Sequence, residues 1–287
     1  MPDTAIRTDF RVVPNGAALG ARVEGFDRTA PCDEATREAL VQALGRHLLL
    51  VFPGAPMTPA ETRDLAATFG TPRAQLLRYK REGDVPEVSL MVSTIKTDGT
   101  TDKTAIRSED WHTDDSYFAV PARATLLHSI KLPSHGGATW FCNMHAAYDA
   151  LPEATRARID GMRAIHAYDT PRARNRPSAR TAQEIAETPD VEHPLVRTHP
   201  VTGRKALYLN FNRLDHVVGL PRAESDALLD ELTAHARDPK FHFGHEWQLG
   251  DAVVWDNRAT MHRVVIDYPV GEERLMRRVL IEGERPF

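Results

Sequence analysis

Cysteine is nearly missing from this chain: two in 287 residues, Cys32 and Cys142. Two thiols cannot staple a small fold, and their separation matches no zinc-binding spacing. Buried, reduced thiols in a cytoplasmic protein are the expectation. No apolar run reaches the ~18 residues that a bilayer span requires. The opening MPDTAIRTDF has no basic segment followed by an apolar one, so neither a membrane helix nor a secretory signal is expected. Charge of one sign is also lacking. Lys and Arg number 36 against 40 Asp and Glu, a formal net charge of −4, which offers nucleic acid no basic surface. What is present is apolar residue, 41% of the chain, enough at this length to bury a substantial core. Neither an internal repeat nor a linker divides the sequence, so residues 1–287 are expected to form a single domain.

Turn and cap signals mark off the elements. Asn15-Gly16 punctuates short strands over 11–30. A helix is predicted over 33–47, where Leu40, Leu44 and Leu48 recur every four residues. The unbroken apolar run 48–52, ended by Pro53-Gly54, reads as a buried strand. Thr58-Pro59-Ala60-Glu61 starts another helix three times over: Thr58 can cap, Pro59 suits the first helical position and Glu61 completes a capping box. Gly70 is its expected stop. Further helices are predicted over 144–150, 152–160 and 221–237, and strands over 125–130, 138–141, 205–210, 247–256 and 275–282. Two stretches, 71–108 and 166–192, are polar and poorly periodic, and both are expected to be active-site lids.

The stretch Trp111-His112-Thr113-Asp114-Asp115-Ser116-Tyr117-Phe118 carries the first sign of chemistry. In an extended strand, positions i and i+2 share a face, so His112 and Asp114 can grip one ion while Asp115 is turned away. A second imidazole, His262, closes the distant segment Trp255-Asp256-Asn257-Arg258-Ala259-Thr260-Met261-His262. Two histidines and one carboxylate on one face of a metal, with the other positions open, form the ligand set of non-haem Fe(II) oxygenases. Alone the His-x-Asp pair says little, because 13 His and 40 acidic residues produce such pairs by chance.

The surrounding segments say more. GGATW (136–140), HPLVRTHPVTGRKALYLN (193–210), GDAVVWDNRATMH (250–262) and ERLMRRVL (273–280) follow in order. With WHTDDSYF they resemble the taurine dioxygenase and 2,4-dichlorophenoxyacetate dioxygenase family, the TauD/TfdA type, from about Arg11 to the C-terminus. The fold this resemblance implies is mainly β with flanking helices, a double-stranded β-helix or jelly-roll, cupin-like barrel. Many short strands with turn punctuation agree with it, although periodicity alone does not separate it from another sandwich.

The resemblance also implies Fe(II) bound by His112, Asp114 and His262, 2-oxoglutarate as cosubstrate and O2 as oxidant. It matches Arg274 to the arginine that binds 2-oxoglutarate, Thr139 to the hydroxyl beside it, and Arg278 to the arginine that receives a substrate acid group. Arginine suits this work because it binds carboxylates through two parallel bonds and stays charged. One extra residue separates His262 from Arg274 relative to the taurine enzyme, so the match rests on the RLMRR text. On a strand Arg274 and Arg278 share a face and Arg277 points the other way. Ser108, Trp111, Asp115 and Trp255 complete the expected substrate contacts. Asp115 either pairs with a nearby arginine or receives a polar group of the substrate.

The implied reaction is decarboxylation of 2-oxoglutarate to succinate and CO2 coupled to hydroxylation of a small anionic substrate. Hydroxylation next to oxygen, nitrogen or sulfur lets the product collapse with bond cleavage. A zinc hydrolase could use the same three ligands, but it leaves Arg274 and Thr139 without a role. A non-catalytic barrel that binds a small acid has no use for an intact ligand set. His242, His245, His193 and His199 read as structural. Nucleic acid and membrane are not expected partners, and members of this family are commonly homo-oligomers.

Overall fold

The computed structural model describes residues 10–96, 108–173 and 179–287. Nine strands make the main sheet. Eight run in the order Arg11–Pro14, Ala21–Glu24, Leu49–Phe52, Ala252–Asp256, Ala124–Lys131, Glu273–Ile281, Val85–Thr94 and Arg81–Glu82. The ninth, Pro72–Arg73, pairs with Glu273–Ile281. A three-stranded sheet, His242–His245, Thr139–Asn143 and Thr260–Val264, packs against it through Phe141 on Trp255, ring centroids 5.3 Å apart. The protein is thus mainly β with flanking helices, in a jelly-roll arrangement of facing sheets. Among the described residues no sheet closes on itself, so the expected barrel is an open one.

The strand pattern explains the apolar runs. Leu49–Phe52 is buried at every position because both of its faces are covered. Leu49 and Val51 point into the core between the sheets, whereas Leu50 and Phe52 join a second core beneath the N-terminal helices. Its neighbour Ala252–Asp256 divides likewise, Val253 and Trp255 to the first core, Ala252 and Val254 to the second. A one-sided strand would alternate with polar residues; these do not, as two covered faces require.

The helices follow their caps. Glu34–His47 begins at Asp33, whose side chain accepts from the Thr36 N–H, and buries Leu40 and Leu44. Pro59–Ala67 carries the full Thr58/Glu61 capping box, and ends three residues before Gly70. The first expected lid differs most from expectation. Residues Val85–Thr94 are a ten-residue strand paired along Glu273–Ile281. Its buried positions include Ser89 and Ser93 while Val92 is exposed, so the apolar alternation that would reveal a strand is scrambled. In the second expected lid, Ala182–Ala186 is a short helix with a Thr181/Glu184 capping box, and Val191–Pro194 is a strand. Residues 97–107 and 174–178 of those two stretches lie outside the described residues.

Several buried histidines serve as neutral hydrogen-bonding spacers. His128 Nδ1 donates to the Asp251 carbonyl at 3.1 Å, and its Nε2 accepts from the Met57 N–H at 2.8 Å. His145 donates to the Lys205 carbonyl at 2.7 Å and His193 to the Phe118 carbonyl at 3.0 Å. Burial lowers all three from 6.5 to about 4. Between those values the unfolded chain binds protons that the folded chain refuses, so stability falls with falling pH. The melting temperature, followed by circular dichroism, should be level above pH 6.5 and decline from there towards pH 4. A constant value across that window would contradict the assignment.

Candidate active site

His112 and His262 face one another in an isolated antiparallel bridge. Each donates its N–H to the other's carbonyl, at 3.0 and 2.7 Å. Residues that exchange both bonds present their side chains to one face. Two imidazoles far apart in sequence therefore lie side by side, ring centroids 4.2 Å apart. The chain then turns at Asp114, whose Oδ2 is 3.8 Å from His262 Nε2. Ligand atoms of His112, Asp114 and His262 all lie within 4.8 Å of one another, and no other such group of three occurs among the described residues. Thr113 fastens the segment on both sides: its hydroxyl donates to the Asn257 carbonyl at 2.9 Å, and its carbonyl accepts from Asn210 Nδ2 at 2.7 Å.

The protonation of this trio suits a divalent metal. Burial lowers His112, and burial together with the neighbouring His112 lowers His262 to about 3. Burial alone would raise Asp114, but His262, Arg278 and His112 outweigh it and hold the carboxyl below its ordinary value. Two neutral imidazoles and one carboxylate result, as metal ligation needs. His112 Nδ1 donates to the Asp110 carbonyl at 2.8 Å, which leaves its Nε2 as the ligating atom.

Two cavities adjoin at the trio. The inner one is lined by Thr139, Arg274, Trp255, Leu127 and Val264 together with His112, Asp114 and His262. Arg274 is 5% exposed, donates to the Gly137 carbonyl at 2.9 Å and to Thr139 Oγ1 at 3.1 Å, and stands 5.6 Å over the Trp247 ring. Burial lowers it to about 10, and no carboxylate pairs with it among the described residues. Thr139 Oγ1 accepts from Trp247 Nε1 at 3.0 Å as well as from Arg274, so its own hydrogen is left to donate. A buried cation lacking a counter-ion and a hydroxyl with a hydrogen to give fit a carboxylate.

The outer cavity shares His112, Asp114, Ser108 and Arg278 with the inner one. Arg278 donates to Gln75 Oε1 at 2.9 Å and reaches Asp114 Oδ1 at 3.5 Å, while its buried Nε finds no partner. Arg277 points away, onto Glu82 and the Met57 carbonyl. Of the expected substrate contacts, Ser108, Asp115 and Arg278 line the outer cavity, Trp255 lines only the inner one and Trp111 lines neither. The Trp111 ring packs on His242 at 4.4 Å and under Arg263 at 5.7 Å, and lines neither cavity. Asp115 was expected on the face opposite Asp114, yet both line the outer cavity. The strand has already turned there, and Asp115 is left-handed at φ 56. Its carboxylate accepts from Tyr117 at 3.0 Å and pairs with Arg73 at 3.4 Å. Gln75 and Tyr168 reach this cavity from the two stretches expected to be lids, Asn210 ends the segment 193–210 that carries the resemblance, and Arg213 joins them with no local motif to announce it. His199 and His245 pair instead with Asp256 and Asp251, and His242 with the Ala236 carbonyl.

Residues 10–280 match the family profile described as "Taurine catabolism dioxygenase TauD, TfdA family". The alpha-ketoglutarate-dependent 2,4-dichlorophenoxyacetate dioxygenase of Burkholderia sp. (strain RASC) is 35% identical over 246 residues, covering 83% of this chain and 82% of that protein. The alpha-ketoglutarate-dependent sulfate ester dioxygenase of Pseudomonas putida is 31% identical over 286 residues, covering 97% and 91%. A crystal structure of a taurine dioxygenase from Burkholderia xenovorans superposes with a TM-score of 0.82 at 29% identity, covering 97% of this chain and 91% of that one.

The double glycine before Thr139 has a local cause. Gly137 adopts φ +74, and a Cβ there would sit 3.1 Å from Arg274 Cδ. Gly161 has a similar φ of +81 with nothing within 4 Å. Gly161→Ala should therefore cost only the left-handed strain, about 1 kcal/mol. Gly137→Ala should cost measurably more in urea denaturation, because it also displaces the guanidinium. Equal losses for the two variants would show that Gly137 does not crowd Arg274.

Proposed function

The chain belongs to the TauD/TfdA family of dioxygenases, and from that premise we propose how its residues divide the work. It is an alpha-ketoglutarate-dependent dioxygenase, working with Fe(II), 2-oxoglutarate and O2. His112, Asp114 and His262 would hold the iron, Arg274 and Thr139 the far carboxylate of 2-oxoglutarate, and Arg278 an acid group of the substrate. The observation that carries this division is that His112, Asp114 and Arg278 line both of two adjoining cavities, of which only the inner one holds Arg274, a buried arginine with no carboxylate partner among the described residues.

With its iron and cosubstrate bound, the centre supplies the oxidising power to convert a substrate C–H into C–OH as 2-oxoglutarate becomes succinate and CO2. The chain's own part is placement. Trp255 covers His262 at 4.6 Å between ring centroids and walls the inner cavity against water. Arg278 and Gln75 orient the substrate's anionic end, while Leu77, Met91 and Leu280 offer its body an apolar surface. We place the substrate among small organic acids, carboxylates or sulfur oxyacids, with an apolar body. Relatives acting on 2,4-dichlorophenoxyacetate and on sulfate esters support that class, in which hydroxylation beside oxygen leads on to C–O cleavage. Asp115 is read as a structural partner of Arg73 and Tyr117 that shapes this cavity. The segments around Gln75 to Lys80 are proposed to close over bound substrate, since Gln75, Leu77 and Lys80 form part of the cavity wall. No helix of the described residues is long and apolar enough to cross a membrane, and both cysteines are free, in keeping with a cytoplasmic enzyme.

Succinate formation from 2-oxoglutarate and Fe(II) under air, across a panel of acids, tests the assignment. Arg274→Ala should raise the KM for 2-oxoglutarate more than tenfold, since a charge-assisted bond in a closed site is worth ~1.5–3 kcal/mol. An unchanged KM would remove Arg274 from the cosubstrate site. The wild type should turn over acids in preference to their neutral amides, and Arg278→Ala should erase that preference. Equal turnover of acid and amide by the wild type would sink the anionic-substrate reading.

A further inference from the structure

Behind the metal trio runs a chain of hydrogen bonds that ends on Asp114. Trp255 Nε1 donates to Asn257 Oδ1 at 2.9 Å, Asn257 Nδ2 donates to Thr125 Oγ1 at 2.8 Å, and Thr125 Oγ1 donates to Asp114 Oδ2 at 2.6 Å. All four residues are buried, and Thr125 is fully so at 0% exposure. Sheet register brings the ends together, because Thr125 lies directly opposite Trp255 in the main sheet.

The direction of this chain is not a matter of choice. An indole N–H can only donate, so the amide oxygen of Asn257 must face Trp255 and its nitrogen must face Thr125. The Thr125 oxygen then receives a hydrogen from Asn257, and its own single hydrogen goes to Asp114. Reversing any one bond would leave a buried donor or acceptor unmet, at about 1–3 kcal/mol. Asp114 needs such a partner, because the terminal torsion of an aspartate is broad and twofold rather than sharply staggered. Arg278 reaches the other carboxylate oxygen only at 3.5 Å, too long to fix it, whereas Thr125 holds Oδ2 at 2.6 Å.

We propose that Thr125 and Asn257 are positioning residues, whose one-way hydrogen-bond chain from Trp255 holds the Asp114 carboxylate in the rotation that faces His112 and His262. This rests on the reading of Asp114 as a metal ligand. Two features separate it from a general packing role. Thr125→Val keeps the shape of the side chain and removes its hydrogen. Asn257→Asp keeps shape at the next link and reverses polarity: one oxygen still accepts from Trp255, and the other draws the Thr125 hydrogen away from Asp114.

Mn(II) is the probe, titrated into metal-free protein, with free Mn(II) followed by its electron paramagnetic resonance signal. Wild type and Asp114→Ala are run first, and melting temperatures of all metal-free variants are measured alongside to detect loss of fold. Thr125→Val and Asn257→Asp should each weaken Mn(II) binding about ten- to a hundredfold, as loss of a partner behind a metal ligand commonly does. Thr125→Ser, which retains the hydroxyl, should bind close to wild type. If Thr125→Val does not fold, the contrast between Thr125→Ser and Asn257→Asp decides. Folded Thr125→Val or Asn257→Asp protein that binds Mn(II) as tightly as wild type overturns the proposal. A wild type that binds no better than Asp114→Ala overturns instead the ligand assignment beneath it.

Discussion

A single pair of backbone hydrogen bonds, between His112 and His262, fixes the geometry on which the candidate centre depends. It sets two imidazoles on one face, and it does so through register. His262 lies opposite Phe141 in the facing sheet, which puts Thr139 opposite Val264 and on the same side. In the main sheet, Arg274 pairs with Ser93 and Arg278 with Ser89, four positions apart and hence on one face. Metal ligands, hydroxyl and both arginines are thus held by three registers. A slip of one residue in any of them would turn a whole set outward.

Around this frame the buried polar groups are closely paired. Asp256 accepts from His199 at 3.0 Å and from Arg258 at 2.8 and 2.6 Å, and its carbonyl accepts from the Thr260 hydroxyl at 2.8 Å. Arg258 and His199 hold its carboxyl far below the ordinary value although burial pushes the other way. Such a network adds little net stability over an apolar core, but it tolerates few alternative arrangements. Its effect here is to give one shape to the turn that delivers His262 to its bridge. Arg274 is the contrast: a buried cation bonded only to neutral groups, which is the condition of a site rather than of a core.

Much of this was legible in the sequence where a residue's role is local. The Thr58/Glu61 capping box, the doubly covered strand Leu49–Phe52 and the His-x-Asp pair are patterns over a few positions, and each appears where it was expected. Legibility ended where conformation or long-range packing took over. Strand Val85–Thr94 hid behind serines on its buried face. Asp115 escaped the alternation argument because the chain turns one residue earlier, and a left-handed aspartate leaves no trace in spacing. Trp111, next to a ligand in sequence, packs in the core against His242, away from the metal trio, because adjacent residues of an extended segment face opposite ways. Gln75 and Tyr168 come from the stretches read as lids, but nothing in the spacing singles out those two side chains or joins them to Arg213.

The same bridge bears on when the centre comes into being. Asp114 and His262 are roughly 150 residues apart, and closing a loop of that size in a flexible chain costs on the order of 4 kcal/mol. Of these three ligands, an ion offered to the unfolded chain finds only His112 and Asp114 close together, a two-point grip too weak to recruit the third across such a distance. Zinc fingers use their metal as the seed of folding; here the order is reversed, and both sheets must be in register before a complete grip exists. Iron is then a late guest in a finished house, free to leave and be replaced while the scaffold stands. On this reasoning the metal-free fold precedes the complete ligand set, and the ion joins a site already built.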